Sequence, residues 1–306
     1  MSPLPDTRSP RSESNITLAQ ISVEQAWEDP KAVTRNTDKI LNRYLSVADS
    51  TDLVVFPELS LTGYIPLKGY DQRRKRLLAE VAQRSIEDEL PRLLSATQDR
   101  RAALVVGTME PSVMRNEIYN SVLYIELGAT LGLYRKIHLP VEENHYFVPG
   151  TEVVVIDSSV GRVALSVCYD MMFPEVSRLA ALRGAEMLLV PSNWLDMANL
   201  RRTGEVLPVA RAIEGQMHVV FVNGVGDLSV RGRSWPLFGR SCMVSATGEV
   251  VVTCGPDEEL LTAKLTRADL EAASDVFPVL RDRRPELYGE LTTPMTRFGR
   301  WTSEPR

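Results

Sequence analysis

Cysteine and histidine are scarce in this chain of 306 residues, with three of each. Cys168, Cys242 and Cys254 are odd in number and widely spaced, and no two form a CxxC pair. A disulfide framework and a structural zinc site are therefore not expected, and a reducing, cytoplasmic compartment is. With only His138, His145 and His218 available, few positions could support imidazole chemistry. No apolar run reaches the roughly 20 residues that cross a bilayer, so no membrane partner is expected. Nor is there a block of like charge. The net charge is -5, and the basic runs Arg73 to Arg76, Arg201-Arg202 and Arg281 to Arg284 are short and interrupted by acids. They read as solvated helix faces, and a nucleic-acid partner is not expected. No repeat and no linker divides the chain. One domain is expected over residues 16–290, after a Ser-, Pro- and charge-rich leader (1–15) expected to be disordered and before a tail (291–306).

Apolar residues make up 44% of the chain and charged residues 25%, an ordinary balance for a protein with a core. Val-, Ile- and Leu-rich runs alternate with longer amphipathic stretches. Residues 16–23 read as a strand. A helix follows, with Asp29 placed to cap Pro30 at its first position. Residues 53–59 (LVVFPEL) form an apolar strand suited to burial on both faces, 71–97 one long charged helix, and 102–110 a further strand. Consecutive strands follow at 118–127, 128–139, 151–159 and 161–170, separated by Gly-bearing turns. A helix is expected from Pro174 to Gly184, with Pro at its start and Gly at its end. Then come a strand at 186–194, a helix at 200–216 and a strand at 218–226. A hairpin turns at Thr247-Gly248, a strand covers 259–265, and a short helix 267–274. Helix-linked and hairpin-linked strands together indicate an α/β protein with a mixed sheet or two packed sheets.

Cys168 ends the apolar run VALSV, a few residues before the helix that starts at Pro174. A thiol on such a turn faces backbone N–H groups and the positive end of a helix dipole, which favour a thiolate and an oxyanion. A buried, inert cysteine is the commoner fate of a single Cys. Glu58 follows Pro57 at the end of a buried strand, where a carboxylate packs poorly and a base is useful. Lys136 lies within LYRKIHL and requires a carboxylate nearby if it points inward. Each of the two would, alone, pass for an exposed strand residue. His138 and His145 leave a Cys–His mechanism open, although no Asn or Asp motif supports it; His138 is expected to order the loop after the Lys136 strand.

In combination and in this order, VVFPELSLTGY, LYRKIHLP and VALSVCYDMMFPE resemble the nitrilase superfamily of carbon–nitrogen hydrolases over roughly residues 16–290. EENHYFVPG, GAEMLLVPSNW, ARAIEGQMHVVFVNGVG, FGRSCMVSATGEVV and DRRPELYGEL extend the likeness. The resemblance implies a four-layer α-β-β-α sandwich that pairs into an eight-layer homodimer, with the helices near 174–184 and 200–216 at the interface. It implies hydrolysis of an amide or N-carbamoyl group of a small molecule through a cysteine thioester, with no cofactor and no metal. Cys168 falls on the family's nucleophile, Glu58 on its general base and Lys136 on its catalytic lysine. Glu143 falls on a second glutamate that orients the lysine and substrate. The backbone N–H of Tyr169 would share the oxyanion with Lys136.

Tyr169-Asp170 after the nucleophile resembles amidase-like and carbamoylase-like branches, whereas nitrilases have Trp-Glu there. Met172 stands where omega-amidases tend to carry Arg, so a substrate carboxylate is not expected. Met171 and Met172 suggest an apolar wall, or core filling beneath the helix. Tyr64, Tyr169, Met172, Asn193, Trp194 and Asp196 are the candidate substrate contacts. An amine acyltransferase on the same fold and a catalytically silent binding subunit are the alternatives. The complete Glu58, Lys136, Glu143 and Cys168 set speaks against the second, since a buried charge cluster is costly to keep without use.

Overall fold

A computed structural model describes residues 12–65, 72–114, 116–140, 143–230, 233–275 and 277–293. Most of the expected leader and tail lies outside the described residues. Strand β1 (Glu13–Gln20) begins three residues inside the expected leader. Helix α1 (Ala32–Val47) leads to β2 (Leu53–Val55), and helices α2 (Gln72–Arg84) and α3 (Leu90–Thr97) lead to β3 (Ala103–Pro111). β1, β2 and β3 pair in parallel; β4 (Ile118–Glu126) and β5 (Ala129–Arg135) then add on antiparallel as a meander.

The next half repeats the plan. β6 (Val154–Ser158) and β7 (Gly161–Leu165) form a hairpin, and α4 (Pro174–Leu182) leads to β8 (Met187–Ser192). Helix α5 (Ala198–Gly215) leads to β9 (His218–Asn223), and β7, β8 and β9 are parallel. A ribbon of β10 (Asp227–Val230) and β11 (Arg233–Pro236) stands apart, and β12 (Cys242–Val244) and β13 (Val250–Thr253) complete the sheet. β14 (Glu259–Thr266) crosses back to pair with β1, and α6 (Arg267–Asp275) follows. The result is two six-stranded sheets, ordered β14-β1-β2-β3-β4-β5 and β13-β12-β9-β8-β7-β6.

Strand periodicity explains the layering. Alternate residues of a strand face opposite sides. Ile16, Leu18, Leu53, Val55, Val105 and Tyr124 share one cluster with Leu165, Val190 and Phe221 of the other sheet, the interior of the sandwich. Their neighbours Val54, Phe56, Leu104 and Val106 pack with Ile40 and Tyr44 of α1 and Leu93 of α3. Val176 and Ala180 of α4 and Ala212 of α5 join the core from the opposite outer face. The order is helices, sheet, sheet, helices, the four layers expected. Burying each Val, Leu, Ile or Phe stabilises by about 1.5–3 kcal/mol, so residues paired across the two inner faces dominate the energetics.

Local chemistry sets several boundaries. α4 starts with Pro174 as expected and ends in a Schellman motif. The Ala185 N–H bonds to the Ala180 carbonyl, the Gly184 N–H bonds to the Ala181 carbonyl, and Gly184 has φ +81°. Asp29 does not cap a helix at Pro30. It accepts the Lys31 N–H at 3.1 Å, and α1 begins two residues later than expected. The single helix expected over 71–97 is divided by a π-helical turn at Ser85–Glu89, closed by the Leu90 N–H on the Ser85 carbonyl. Pro91 follows at once and has no N–H to continue the regular ladder. The β10–β11 ribbon was not expected; the reading of 218–226 as one strand ran past β9 into its base. Among the described residues no helix is long and apolar enough to cross a membrane.

Candidate active site

The C-terminal ends of the parallel strands β2, β7 and β8 meet across the sandwich, the usual place for a site in an open α/β sheet. Each brings polar residues just beyond its last ladder position.

After β2, the Phe56 N–H still pairs with the Val105 carbonyl at 2.9 Å. Pro57 offers no N–H, so the ladder stops and the chain turns, with Leu59 at φ +51°. Glu58 is carried inward on this turn and is fully buried. Gly107 of β3 lies directly beneath, where a Cβ would collide with the backbone of Glu58 and Leu59. Only glycine lets the turn sit this close.

Lys136 immediately follows β5. Its N–H bonds to the Asn120 carbonyl and its carbonyl accepts from Gly150, both at 2.8 Å, which fixes the backbone. The ammonium is buried and lies 2.8 Å from Glu58 Oε1 and 2.7 Å from Glu143 Oε1. Glu143 opens a short 3-10 turn, Glu143–His145, and the Tyr64 hydroxyl donates to the same Oε1. Glu143 Oε2 is buried without a hydrogen-bond partner among the described residues.

Cys168 follows β7 at φ +45°, a left-handed conformation that a side chain rarely adopts, and opens the 3-10 turn Cys168–Met172. Non-glycine residues held this way cluster at functional sites. Asp170 secures the turn. Its Oδ2 accepts the Tyr134 hydroxyl at 2.7 Å and the Val167 N–H at 3.3 Å; its Oδ1 accepts the His138 N–H at 2.8 Å and lies 2.9 Å from His138 Nδ1. Tyr134 and His138 flank Lys136 by two residues on either side, so one carboxylate ties the lysine segment to the cysteine turn.

Electrostatics at the cluster are governed by dehydration. Burial works against the charge of Lys136, but Glu143 and Glu58 outweigh it and hold its pKa above the ordinary lysine value. Burial, opposed by Lys136 and reinforced by the charge of Glu58, pushes the Glu143 carboxyl up to about 7. Burial and then Glu58 push the Cys168 thiol well up, while Lys136, Ser192 and the Asn193 N–H act the other way. The resting sulfur is therefore a thiol. Tyr64 is likewise raised, by burial and then by the charge of Glu143.

A sequence model of carbon-nitrogen hydrolases matches residues 15–275. The chain belongs to the carbon-nitrogen hydrolase family. It is 35% identical over 259 residues to an (R)-stereoselective amidase of Pseudomonas sp, covering 84% of this chain and 88% of that one. Among solved structures, a carbon-nitrogen hydrolase from Helicobacter pylori G27 superposes with a TM-score of 0.79 at 26% identity, covering 91% and 98% of the two chains. A glutamate mutant of the amidase from Nesterenkonia sp. AN1 superposes with a TM-score of 0.73 at 27% identity, covering 92% and 98%. That structure carries the acetamide moiety of fluoroacetamide covalently on its active-site cysteine.

Within this carbon-nitrogen hydrolase, the structure brings Glu58, Lys136, Glu143 and Tyr64 into direct contact and sets Cys168 in their field. The other expected contacts separate. Asn193 donates its backbone N–H to Glu58 Oε2 at 2.9 Å and its side-chain amide to the Glu58 carbonyl at 2.8 Å, so it orients the glutamate. Trp194 is a core residue whose indole N–H bonds to the Leu200 carbonyl at 2.9 Å. Both oxygens of Asp196 are taken by Arg201, at 2.7 and 2.9 Å, at the start of α5. Met172 is 40% exposed at the end of the 3-10 turn and fills no core, whereas Met171 is buried. Tyr169 is half-buried and stands edge-on to Phe173, with ring centroids 5.3 Å apart.

His138 orders its loop, as expected, stacking on Phe173 at 3.6 Å and facing Asp170. The groups that act on the Cys168 sulfur are Glu58, Lys136, Ser192 and the Asn193 N–H, an arrangement that favours a glutamate base over a Cys–His pair. Asn120, which donates to Glu58 Oε1 at 2.7 Å, was missed, as was the role of Asp170. A polar residue amid the apolar run of IYNSVLYI was the available signal for Asn120. Among the described residues, no group of three His, Cys, Asp or Glu side chains is placed to hold a metal ion.

Proposed function

We propose that this carbon-nitrogen hydrolase cleaves a small primary amide or N-carbamoyl compound, with Cys168 as nucleophile, Glu58 as general base and acid, and Lys136 as electrophile. The observation that carries this reading is the buried ammonium held between Glu58 and Glu143 beside the Cys168 turn. Because the resting sulfur is protonated, proton transfer to Glu58 accompanies attack on the carbonyl carbon. The oxyanion is met by the Lys136 ammonium and by the N–H of Tyr169, the second residue of the turn. Glu58 returns the proton to the departing nitrogen as the C–N bond breaks, leaving a thioester. Water then loses a proton to Glu58 and adds to the thioester carbon, and the thiol leaves with that proton.

The substrate preference rests on unused acceptors. Glu143 Oε2 and Asn120 Oδ1 are buried without partners among the described residues. A primary amide or ureido nitrogen brings N–H donors to such atoms, whereas a nitrile brings none. Ammonia release from primary amides, N-carbamoyl amines, N-carbamoyl amino acids and nitriles tests the reading, with Cys168→Ala and Glu58→Gln as controls. Turnover of an N–H-bearing class, lost in both variants, is expected. Turnover retained by Cys168→Ala sinks the mechanism; preferential turnover of nitriles sinks the substrate assignment.

We further propose a homodimer joined through α4 and α5, supported by the exposure of Leu179, Leu182, Val206 and Ile213 on these helices. A cytoplasmic location is supported by three buried cysteines that are all free thiols. Recovery of the protein in a secreted or membrane fraction would count against it.

A further inference from the structure

The proposed chemistry leaves one buried polar atom beside the sulfur without a role. Ser192 is the last residue of β8 and is fully buried, yet its hydroxyl has no hydrogen-bond partner among the described residues. An unpaired interior O–H is costly, so its retention calls for a partner that forms at another moment. The backbone around it is committed. The Gly224 N–H bonds to the Ser192 carbonyl at 3.1 Å, and the next N–H, of Asn193, bonds to Glu58 Oε2 at 2.9 Å. The hydroxyl is thus carried on a fixed strand end beside the general base.

Strand register brings Ser192 alongside Cys168. β7 and β8 run parallel with Leu165 opposite Leu189, and the Ser166 N–H bonds to the Leu189 carbonyl. Three residues beyond that pair stand Cys168, at the start of the 3-10 turn after β7, and Ser192, the last residue of β8. The sulfur senses the arrangement, since the Ser192 hydroxyl and the Asn193 N–H both favour its ionised form. The charged and titratable groups that face the sulfur are Glu58 from the turn after β2, Lys136 from the end of β5, and Tyr64.

We propose that Ser192 is a catalytic donor held in reserve, its O–H turning onto the Cys168 sulfur only when that sulfur carries negative charge. The charge develops twice: as the thiol gives its proton to Glu58 during attack, and as the sulfur departs when the thioester is hydrolysed. No proton is transferred from Ser192 at either step. The hydroxyl donates a hydrogen bond to the charged sulfur and lets it go when the S–C or S–H bond reforms. This role rests on the assignment of Cys168 as nucleophile. It also accounts for the resting state, because an O–H bonded permanently elsewhere would have to break that bond during catalysis.

The test is the rate of Cys168 alkylation by iodoacetamide at several pH values, read by peptide mass in the full-length chain, together with kcat/KM on the best amide from the substrate panel. Wild type, Ser192→Ala and Ser192→Thr are compared. Below the thiol pKa the rate follows the thiolate fraction, so Ser192→Ala is expected to lower the alkylation rate about tenfold at each pH and to lower kcat/KM about tenfold. Its thermal midpoint should equal or exceed that of wild type, because an unpaired hydroxyl has been removed. Ser192→Thr keeps the donor and should restore both the alkylation rate and kcat/KM. An unchanged alkylation rate in Ser192→Ala overturns the proposal, and if kcat/KM falls alone the hydroxyl acts on substrate. A lowered thermal midpoint also overturns it, by showing that the hydroxyl is paired in the resting protein. Alkylation mapped to Cys242 or Cys254 instead of Cys168 overturns the nucleophile assignment itself, an outcome distinct from the others.

Discussion

At the scale of single residues, the site separates groups that perform chemistry from groups that aim them. Glu58 has both oxygens occupied, Oε1 by Asn120 and Lys136 and Oε2 by the Asn193 N–H. Such a carboxylate has one orientation available and pays little to hold it. Asp170 plays the corresponding part for the cysteine turn, holding Tyr134, Val167 and His138. Replacing it with Ala leaves several buried donors unpaired at about 1–3 kcal/mol each. Asp170→Ala is therefore expected to lose roughly 3 kcal/mol or more of unfolding free energy, while Tyr134→Phe, which removes donor and cost together, loses about 1 kcal/mol. Urea unfolding of both variants checks this, and an unaltered midpoint for Asp170→Ala would refute the bracing role.

Secondary-structure elements place these residues by ending where they do. β2 stops at Val55 because Pro57 cannot continue the ladder, and Glu58 is released inward at that point. β5 stops one residue before Lys136, and β8 one residue before Asn193. Helices α4 and α5 bury one face against the sheet and leave another open. Leu179 and Ile213 are 45% and 54% exposed on that open face, an apolar surface suited to a second copy. Sedimentation of the wild type is expected to give twice the chain mass, and Leu179→Glu with Ile213→Glu to give monomers that retain the fold. A wild-type monomer at micromolar concentration would dismiss these helices as an interface.

For the molecule as a whole, the buried cluster links folding to pH. The carboxyl of Glu143 is raised from an ordinary 4.5 to about 7 in the folded chain. The folded state then binds this proton more tightly than the unfolded state, so stability from this group falls as pH rises through that interval. The interval spans about 3 kcal/mol at most, from roughly 1.4 kcal/mol per pH unit. Glu143→Gln cannot titrate and lacks this slope. The unfolding free energy of wild type relative to Glu143→Gln should thus decline between pH 4.5 and 7, as read by urea titrations at several pH values. A difference independent of pH would show that Glu143 titrates alike in both states.

Much of this protein was legible in its sequence because the relevant forces are local or periodic. Continuous apolar runs marked strands buried on both faces, Pro174 and Gly184 bounded α4, and Thr247-Gly248 marked the turn between β12 and β13. The motifs around Glu58, Lys136 and Cys168 carried the family, and Glu143 joined them. Other features required the folded chain. The π turn at Ser85–Glu89 and the β10–β11 ribbon leave weak local patterns. Asn193, Trp194 and Asp196 read as one group of substrate contacts, yet neighbouring side chains on a strand end point different ways, toward Glu58, Leu200 and Arg201. Asn120, Asp170 and Ser192 acquire their roles from residues in other segments, and no local pattern records a contact between segments distant in the chain. The sequence by itself determined the elements and the family, because backbone propensity and side-chain periodicity act within a few residues. Only the tertiary structure decided which polar atoms are paired and which are left open for chemistry, because dehydration and hydrogen bonding are settled where distant segments meet.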